Sequence, residues 1–239
     1  ERARQFFTVS LAAMLAASLL VLSGGLFLCG GISEALTKNA PNLTEPVYDY
    51  LSIVMLAAPL LIVVPGLVYF IRSSGNVRTA SAALITANVV NLLLDLVYIG
   101  GLNMGIKGAA LATGTGYFTG LLIALYGVFR CETLKPEAVS APAAVSLLKE
   151  TVSTGLPNTI NTVLNFFRLT CINAIVMMYL GSSGVTAFSV CTSCLSIVSM
   201  FVGGSAQTMG PLLGTLYGEG DTRGVRFAVK KAVCITGIS

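Results

Sequence analysis

The chain has no histidine and no tryptophan among its 239 residues, and few charges. Lack of histidine removes the commonest metal ligand and the commonest general base near neutral pH. Charged residues make up 10% of the chain, against about 25% in soluble domains, which is too few to keep a soluble surface wet. The formal net charge is +4, yet the positive residues cluster in short gaps between apolar blocks, so no nucleic-acid partner is expected. No charged region with a cleavage site opens the chain as a signal peptide would. No nucleophile elbow, phosphate loop or metal-ligand spacing is present either, so an enzyme is not expected and neither is a cofactor. Six cysteines form no secreted-type framework, and Cys191–Thr–Ser–Cys194 lies in an apolar run without a second pair. They are expected to be small packing residues.

What is present is apolar: 55% hydrophobic residues and 25 glycines, with a mean hydropathy of +0.85. A membrane-spanning helix needs about 20 mostly apolar residues. Spans are expected over 6–31, 48–70, 80–100, 108–129, 153–180 and 185–209, with a seventh opening near 226. Loops are expected at 32–47, 72–80, 101–107, 130–152, 180–184 and 210–225. The fold class is therefore all-α integral membrane protein, with the lipid bilayer as its solvent.

The basic residues orient the spans. Arg2, Arg4, Arg72, Arg78, Arg130, Lys135, Lys149, Arg223, Arg226, Lys230 and Lys231 fall on one side, and only Lys38 and Lys107 on the other. The positive-inside rule puts the first group in the cytoplasm, with loops 71–79, 130–152 and 210–225. The membrane is then a plasma or bacterial inner membrane. The chain begins at Glu1 without a methionine and ends at Ser239 within an apolar stretch, as expected of a piece of a longer membrane protein.

Asp95 interrupts the apolar run Ala87–Ile99. A carboxylate in hydrocarbon is costly, and it usually faces a cavity, a partner or a transport path. Asn88, Asn91 and Asp95 follow i, i+3, i+7, giving one polar stripe with Tyr98 next. A second stripe, Asn158, Asn161, Asn165 and Arg168, runs along the 153–180 span. Asparagines of this kind either line a cavity or bond neighbouring helices at about 0.6–2 kcal/mol each. Asp95 lies fifteen residues past Ala80 and Arg168 fifteen past Ser153, so both sit about 22 Å from the inner face. An ion pair between them is possible, either fixed or exchanged during transport.

Further features are structural. Pro59 and Pro65 each remove a backbone hydrogen bond and are expected to kink the 48–70 span. Gly108, Ala112, Gly116, Gly120 and Ala124 recur every four residues, a ladder that admits a close neighbour. Ser189, Ser193, Ser196, Gly203 and Gln207 add a mild polar face. Arg2–Ala–Arg–Gln–Phe–Phe and Arg223–Gly–Val–Arg–Phe–Ala echo each other 221 residues apart, and parallel six-helix repeats are a transporter signature.

Several stretches resemble the MATE (multidrug and toxic compound extrusion) transporter family. They are Ile71–Arg–Ser–Ser–Gly75, Asn88–Val–Val–Asn–Leu–Leu–Leu–Asp95, Asn103–Met–Gly–Ile–Lys–Gly–Ala–Ala–Leu–Ala–Thr113, Gly155–Leu–Pro157, and Gly210–Pro–Leu–Leu–Gly214 through Gly218–Glu–Gly–Asp221. The resemblance covers essentially the whole chain, as family helices three to eight and the start of nine. It implies two six-helix lobes: 1–130 the last four helices of the first, 131–152 a cytoplasmic inter-lobe linker, and 153–239 the truncated start of the second. It implies a monomeric secondary active antiporter that works by alternating access. Small amphipathic compounds, cationic ones among them, would be exported against H+ or Na+ in xenobiotic efflux. The family's seventh-helix carboxylate, carried by some members, is replaced here by asparagines and Arg168. Asp95 is then the expected coupling or cation-recognition residue. The alternatives are a lipid-linked precursor flippase of the same superfamily and a non-transporting membrane protein.

Overall fold

The computed structural model describes residues 2–38 and 41–238. Every regular element among them is helical: α1 (Arg2–Leu36), α2 (Thr44–Ser73), α3 (Val77–Asp95), α4 (Gly105–Arg130), α5 (Ala141–Gly218) and α6 (Thr222–Ile238). Short 3-10 turns occupy Pro41–Leu43 and Glu132–Leu134, and a π-helical turn occupies Leu96–Gly101. Helix is the form that satisfies every backbone N–H and C=O within one segment, which hydrocarbon demands. Among the described residues five stretches are long and apolar enough to cross a membrane, against the six expected, because 153–180 and 185–209 fall in one helical stretch.

The helices run further than the apolar blocks. The loop expected at 72–80 shrinks to a turn around Gly75 (φ 90°), because Asn76 accepts from the Thr79 N–H and starts α3 early. Pro46 lies inside α2 rather than in a loop, in the first turn where its missing N–H is harmless. Residues 141–152, expected as linker, are helical. The break expected at 180–184 falls at Gly181, whose φ of 64° and ψ of −161° interrupt α5. Helix α6 stands where the seventh apolar segment opens. Through Pro59 and Pro65, α2 stays a single helix from Thr44 to Ser73.

Contacts divide the chain into Glu1–Thr151 and Val152–Ser239. In the first unit α2 is central. Met14 sits over Gly66 and Met55 over Gly25, so α1 and α2 pack antiparallel. Val64 lies against Gly120 and Ile71 against Gly127, so α2 and α4 run parallel. The core gathers Phe7, Val64, Leu67, Val68, Ile71, Ala80, Ala83 and Ala124. Phe7 meets Phe70 edge to face with ring centres 5.2 Å apart.

The small-residue ladder of α4 packs as expected. Gly108, Ala112, Gly116, Gly120 and Ala124 are all buried, and α3 lies along them. A methyl group on Gly116 would come within 2.5 Å of the Ala87 carbonyl oxygen, and one on Gly120 within 2.9 Å of the Ala87 methyl. Both obstacles are backbone or rigid Cβ atoms, which have nowhere to go.

A connector closes one end of this unit. The buried Leu134 plugs between α1 and α2, and the Glu137 N–H donates to the Thr8 hydroxyl at 2.9 Å. Burial pushes the Cys131 thiol up, but hydrogen bonds from Ser74, Thr133 and the backbone of Thr133 and Leu134 outweigh it and hold the thiol below its ordinary range.

The ladder yields a paired test on one helix. Gly116→Ala should destabilise the purified protein by about 1–3 kcal/mol, the usual cost of overpacking. Gly114→Ala would meet only Ala57 at an ordinary 3.4 Å, and should be neutral or gain up to ~1 kcal/mol of helix propensity. Denaturant titration in detergent separates the two, and equal effects would sink the close-packing account.

Candidate functional site

The first polar stretch lies on α3 and the turn after it. The three residues of the expected stripe do not act alike. Asn88 is exposed, and its amide returns to its own helix, donating to the Leu84 carbonyl at 2.8 Å. Asn91 is half-buried and donates across to the Thr113 hydroxyl of α4 at 3.2 Å. Thr113 in turn donates to the Ala109 carbonyl at 2.9 Å. Asp95 is half-buried, and its Oδ1 is buried with no hydrogen-bond partner among the described residues. A buried carboxylate oxygen left unpaired carries a desolvation cost that most proteins avoid. It is therefore the strongest site signal in this unit.

Asp95 is also the last α-helical residue before the π-helical turn Leu96–Gly101. The Leu102 N–H reaches back to the Val97 carbonyl at 2.9 Å, five residues earlier. Such widened turns are rare and frequent at functional sites. Sequence reasoning did not find this turn. Its visible signal is the pair Gly100–Gly101, which removes side chains at the point where the helix widens.

The stretch Asn103–Gly108 now has a physical reason at most of its positions. Asn103 (φ 53°) and Gly105 (φ 57°) adopt left-handed backbone, which asparagine and glycine tolerate best. Lys107 pairs with Asp49 at 2.5 Å, tying the start of α4 to the start of α2. A methyl on Gly108 would come within 2.8 Å of the Tyr98 Cβ. The motif thus turns the chain tightly and locks the π turn against α4, just beyond Asp95. The Asp49–Lys107 pair also escapes a reading of the sequence, since two charges 58 residues apart at the starts of separate helices carry no local pattern.

The second polar stretch lies on α5. Asn158, Asn161, Asn165 and Arg168, with Thr162 and Leu164, line one groove of about 370 Å³. The Arg168 Nη2 donates to Asn165 Oδ1 at 2.7 Å, one helical turn away. That contact fixes the guanidinium on the stripe and orients the Asn165 amide with its oxygen toward the cation. All four residues are exposed, so the stripe is open. Asn173, outside the expected stripe, has a buried Oδ1 without a partner among the described residues. Its signal is an amide inside the apolar run Cys171–Val176.

By contrast, the serines further along α5 satisfy themselves. Ser189 donates to the Val185 carbonyl, Ser193 to Ser189 and Ser196 to Thr192, at 2.8–2.9 Å. The side chain of Gln207 lies outside the described residues. Asp95 belongs to the first unit and Arg168 to the second.

The family model MatE matches residues 157–239. Multidrug export protein MepA of Staphylococcus haemolyticus is 25% identical over 197 residues, covering 79% of this chain and 43% of that protein. The probable multidrug resistance protein NorM of Thermotoga maritima is 27% identical over 137 residues, covering 54% of this chain and 30% of that protein. The chain therefore spans less than half the length of these relatives. Among solved structures, a MOP superfamily transporter from Pyrococcus furiosus superposes with a TM-score of 0.81 at 20% identity, over 97% of this chain and 52% of that one. Several apolar helices, the shared all-α bundle and these relatives make the chain a multi-pass membrane protein. A MATE family model thus matches its C-terminal third, and the chain shares the fold of solved MATE transporters.

Proposed function

We propose that the protein is a secondary active exporter of small amphipathic compounds, working by alternating access against an inward H+ or Na+ gradient. The observation that carries the reading is the buried, unpaired Oδ1 of Asp95 at an α-to-π junction. An intramembrane carboxylate with an unfilled oxygen is suited to hold a cation that comes and goes. MepA and NorM are described by their names as multidrug proteins, which supports organic compounds as cargo. In this reading the asparagine–arginine groove of α5 meets the substrate. Arg168 then serves as a counter-charge within that groove, held by Asn165 until substrate arrives.

A second reading has one observation in its favour. Arg168 is the cation of an open groove that holds no acid, and the Pyrococcus furiosus transporter is described as having a binding pocket of reverse polarity that suggests a different function. An anionic cargo, of the kind a lipid-linked precursor flippase moves, fits such a groove.

One vesicle assay separates them. Everted membrane vesicles containing the protein are given a cationic dye such as ethidium in the outer medium, its export is followed as entry into the lumen, and the H+ and Na+ gradients are collapsed in turn. Asp95→Asn should reduce gradient-driven export to the level of vesicles without the protein, with membrane insertion unchanged. Export that survives this substitution would remove Asp95 from the mechanism, and no dye export by the unaltered protein would favour the anionic cargo.

The groove makes its own prediction. Single cysteines replacing Asn91 and Asn161 should be alkylated several-fold more slowly when substrate is present. Equal rates with and without substrate would return both stripes to the role of interhelical adhesive.

The orientation is tested separately. With loops 71–79, 130–152 and 210–225 in the cytoplasm, a variant keeping Cys131 as its single cysteine should react with a membrane-impermeant maleimide in everted vesicles. Reaction in intact cells instead would invert the topology.

A further inference from the structure

The geometry points to a binding site for an anionic phospholipid in the first unit, formed by the apolar trough between α1, α2 and α4 with Lys135 at its mouth. The trough has a volume of about 480 Å³. Its walls are three matched stretches: Phe7–Leu15 of α1, Pro59–Leu67 of α2 and Leu121–Phe129 of α4. Each covers eight residue steps, or about 12 Å along a helix. Half of a hydrocarbon core of about 30 Å is of the same order. The trough therefore runs from the helix ends to near the bilayer centre, the depth occupied by one leaflet's acyl chains.

Its two ends differ chemically. Leu11, Leu15 and Leu60 leave the deep part without a polar group, so nothing there would hold water or an ion. The mouth is closed by the connector Leu134–Pro136, and Lys135 is the one charged residue of the lining. The Lys135 ammonium is 58% exposed and lies 3.7 Å from an 84% exposed Glu132. An exposed pair so loosely held contributes little, and leaves the ammonium free to meet a phosphate. Lys135 stands at the end of the unit that also carries Arg2, Arg4, Arg72 and Arg130, where α1 starts and α2 and α4 end. An acyl chain in the trough would set its glycerophosphate at that level. Basic residues at the mouth of an interhelical crevice select anionic head groups. The site stands on this packing alone, whichever direction or cargo the transporter has.

The chain's lack of tryptophan makes the test direct. Phe129→Trp places a sole indole at the mouth, and Leu15→Trp places one at the deep end. Each protein is reconstituted in phosphatidylcholine vesicles with rising phosphatidylglycerol, and either lipid carries brominated acyl chains that quench indole. Brominated phosphatidylglycerol should quench both reporters at about fivefold lower mole fraction than brominated phosphatidylcholine, the ratio that one lysine near an anionic head group supplies. Lys135→Gln should bring that ratio to about one in both backgrounds. Equal quenching by the two lipids, or a preference untouched by Lys135→Gln, would overturn the site. A preference at Phe129→Trp that is absent at Leu15→Trp would reduce it to surface head-group contact and equally overturn it.

Discussion

Gly116 has no side chain where the Ala87 carbonyl oxygen sits, and most of the first unit follows from that absence. In hydrocarbon, helices gain nothing by hiding apolar surface from one another, so they associate through close van der Waals contact. The glycine ladder lets α3 lie directly on the backbone of α4. With α3 held there, Asn91 comes within reach of Thr113 and Tyr98 settles over Gly108. Asp95 lies between those two contacts along the chain, and its depth and facing are set by them. The polar site is thus a product of apolar packing.

The turn beyond Asp95 shows how the same packing tolerates irregular backbone. A π turn, two left-handed residues and an ion pair follow one another within thirteen residues of Asp95. Each would be costly alone in lipid, where free backbone groups have no water to turn to. Here the extra backbone bonds from Leu102 and Met104 to Val97 and Tyr98 satisfy the widened turn. Residues with little side-chain penalty, Asn103 and Gly105, take the left-handed positions. The conspicuous sequence motif is therefore a piece of backbone engineering that borders the site.

Much of this architecture is legible in the amino-acid sequence. The four spans of the first unit and the α4 ladder follow from apolar length and four-residue spacing, both local patterns. The Gly181 break is visible as Leu180–Gly–Ser–Ser–Gly184 between two long apolar runs. Helix ends are less legible, because caps such as Asn76 extend a helix beyond its apolar part. The stripe on α3 is only partly legible: periodicity puts Asn88, Asn91 and Asp95 on one face, but cannot tell that Asn88 bonds its own backbone. Pairings between distant segments, Asp49 with Lys107 and Asn91 with Thr113, are set by which helices become neighbours. No local spacing encodes them.

The two prolines of α2 bear on stiffness. Proline has no N–H to offer the residue four positions earlier, so the carbonyls of Met55 and Leu61 lack their usual rungs in an otherwise continuous helix. Opening the helix on those sides breaks no hydrogen bond, so the elastic cost of bending is lowest there. The two prolines stand six positions apart, which places the two soft sides about 120° apart around the axis. The central rod of this unit is thus compliant in two directions at two heights, and rigid elsewhere. A rod built that way flexes as a twist rather than as a simple hinge, and it carries α1 on one flank and α4 on the other as it does so.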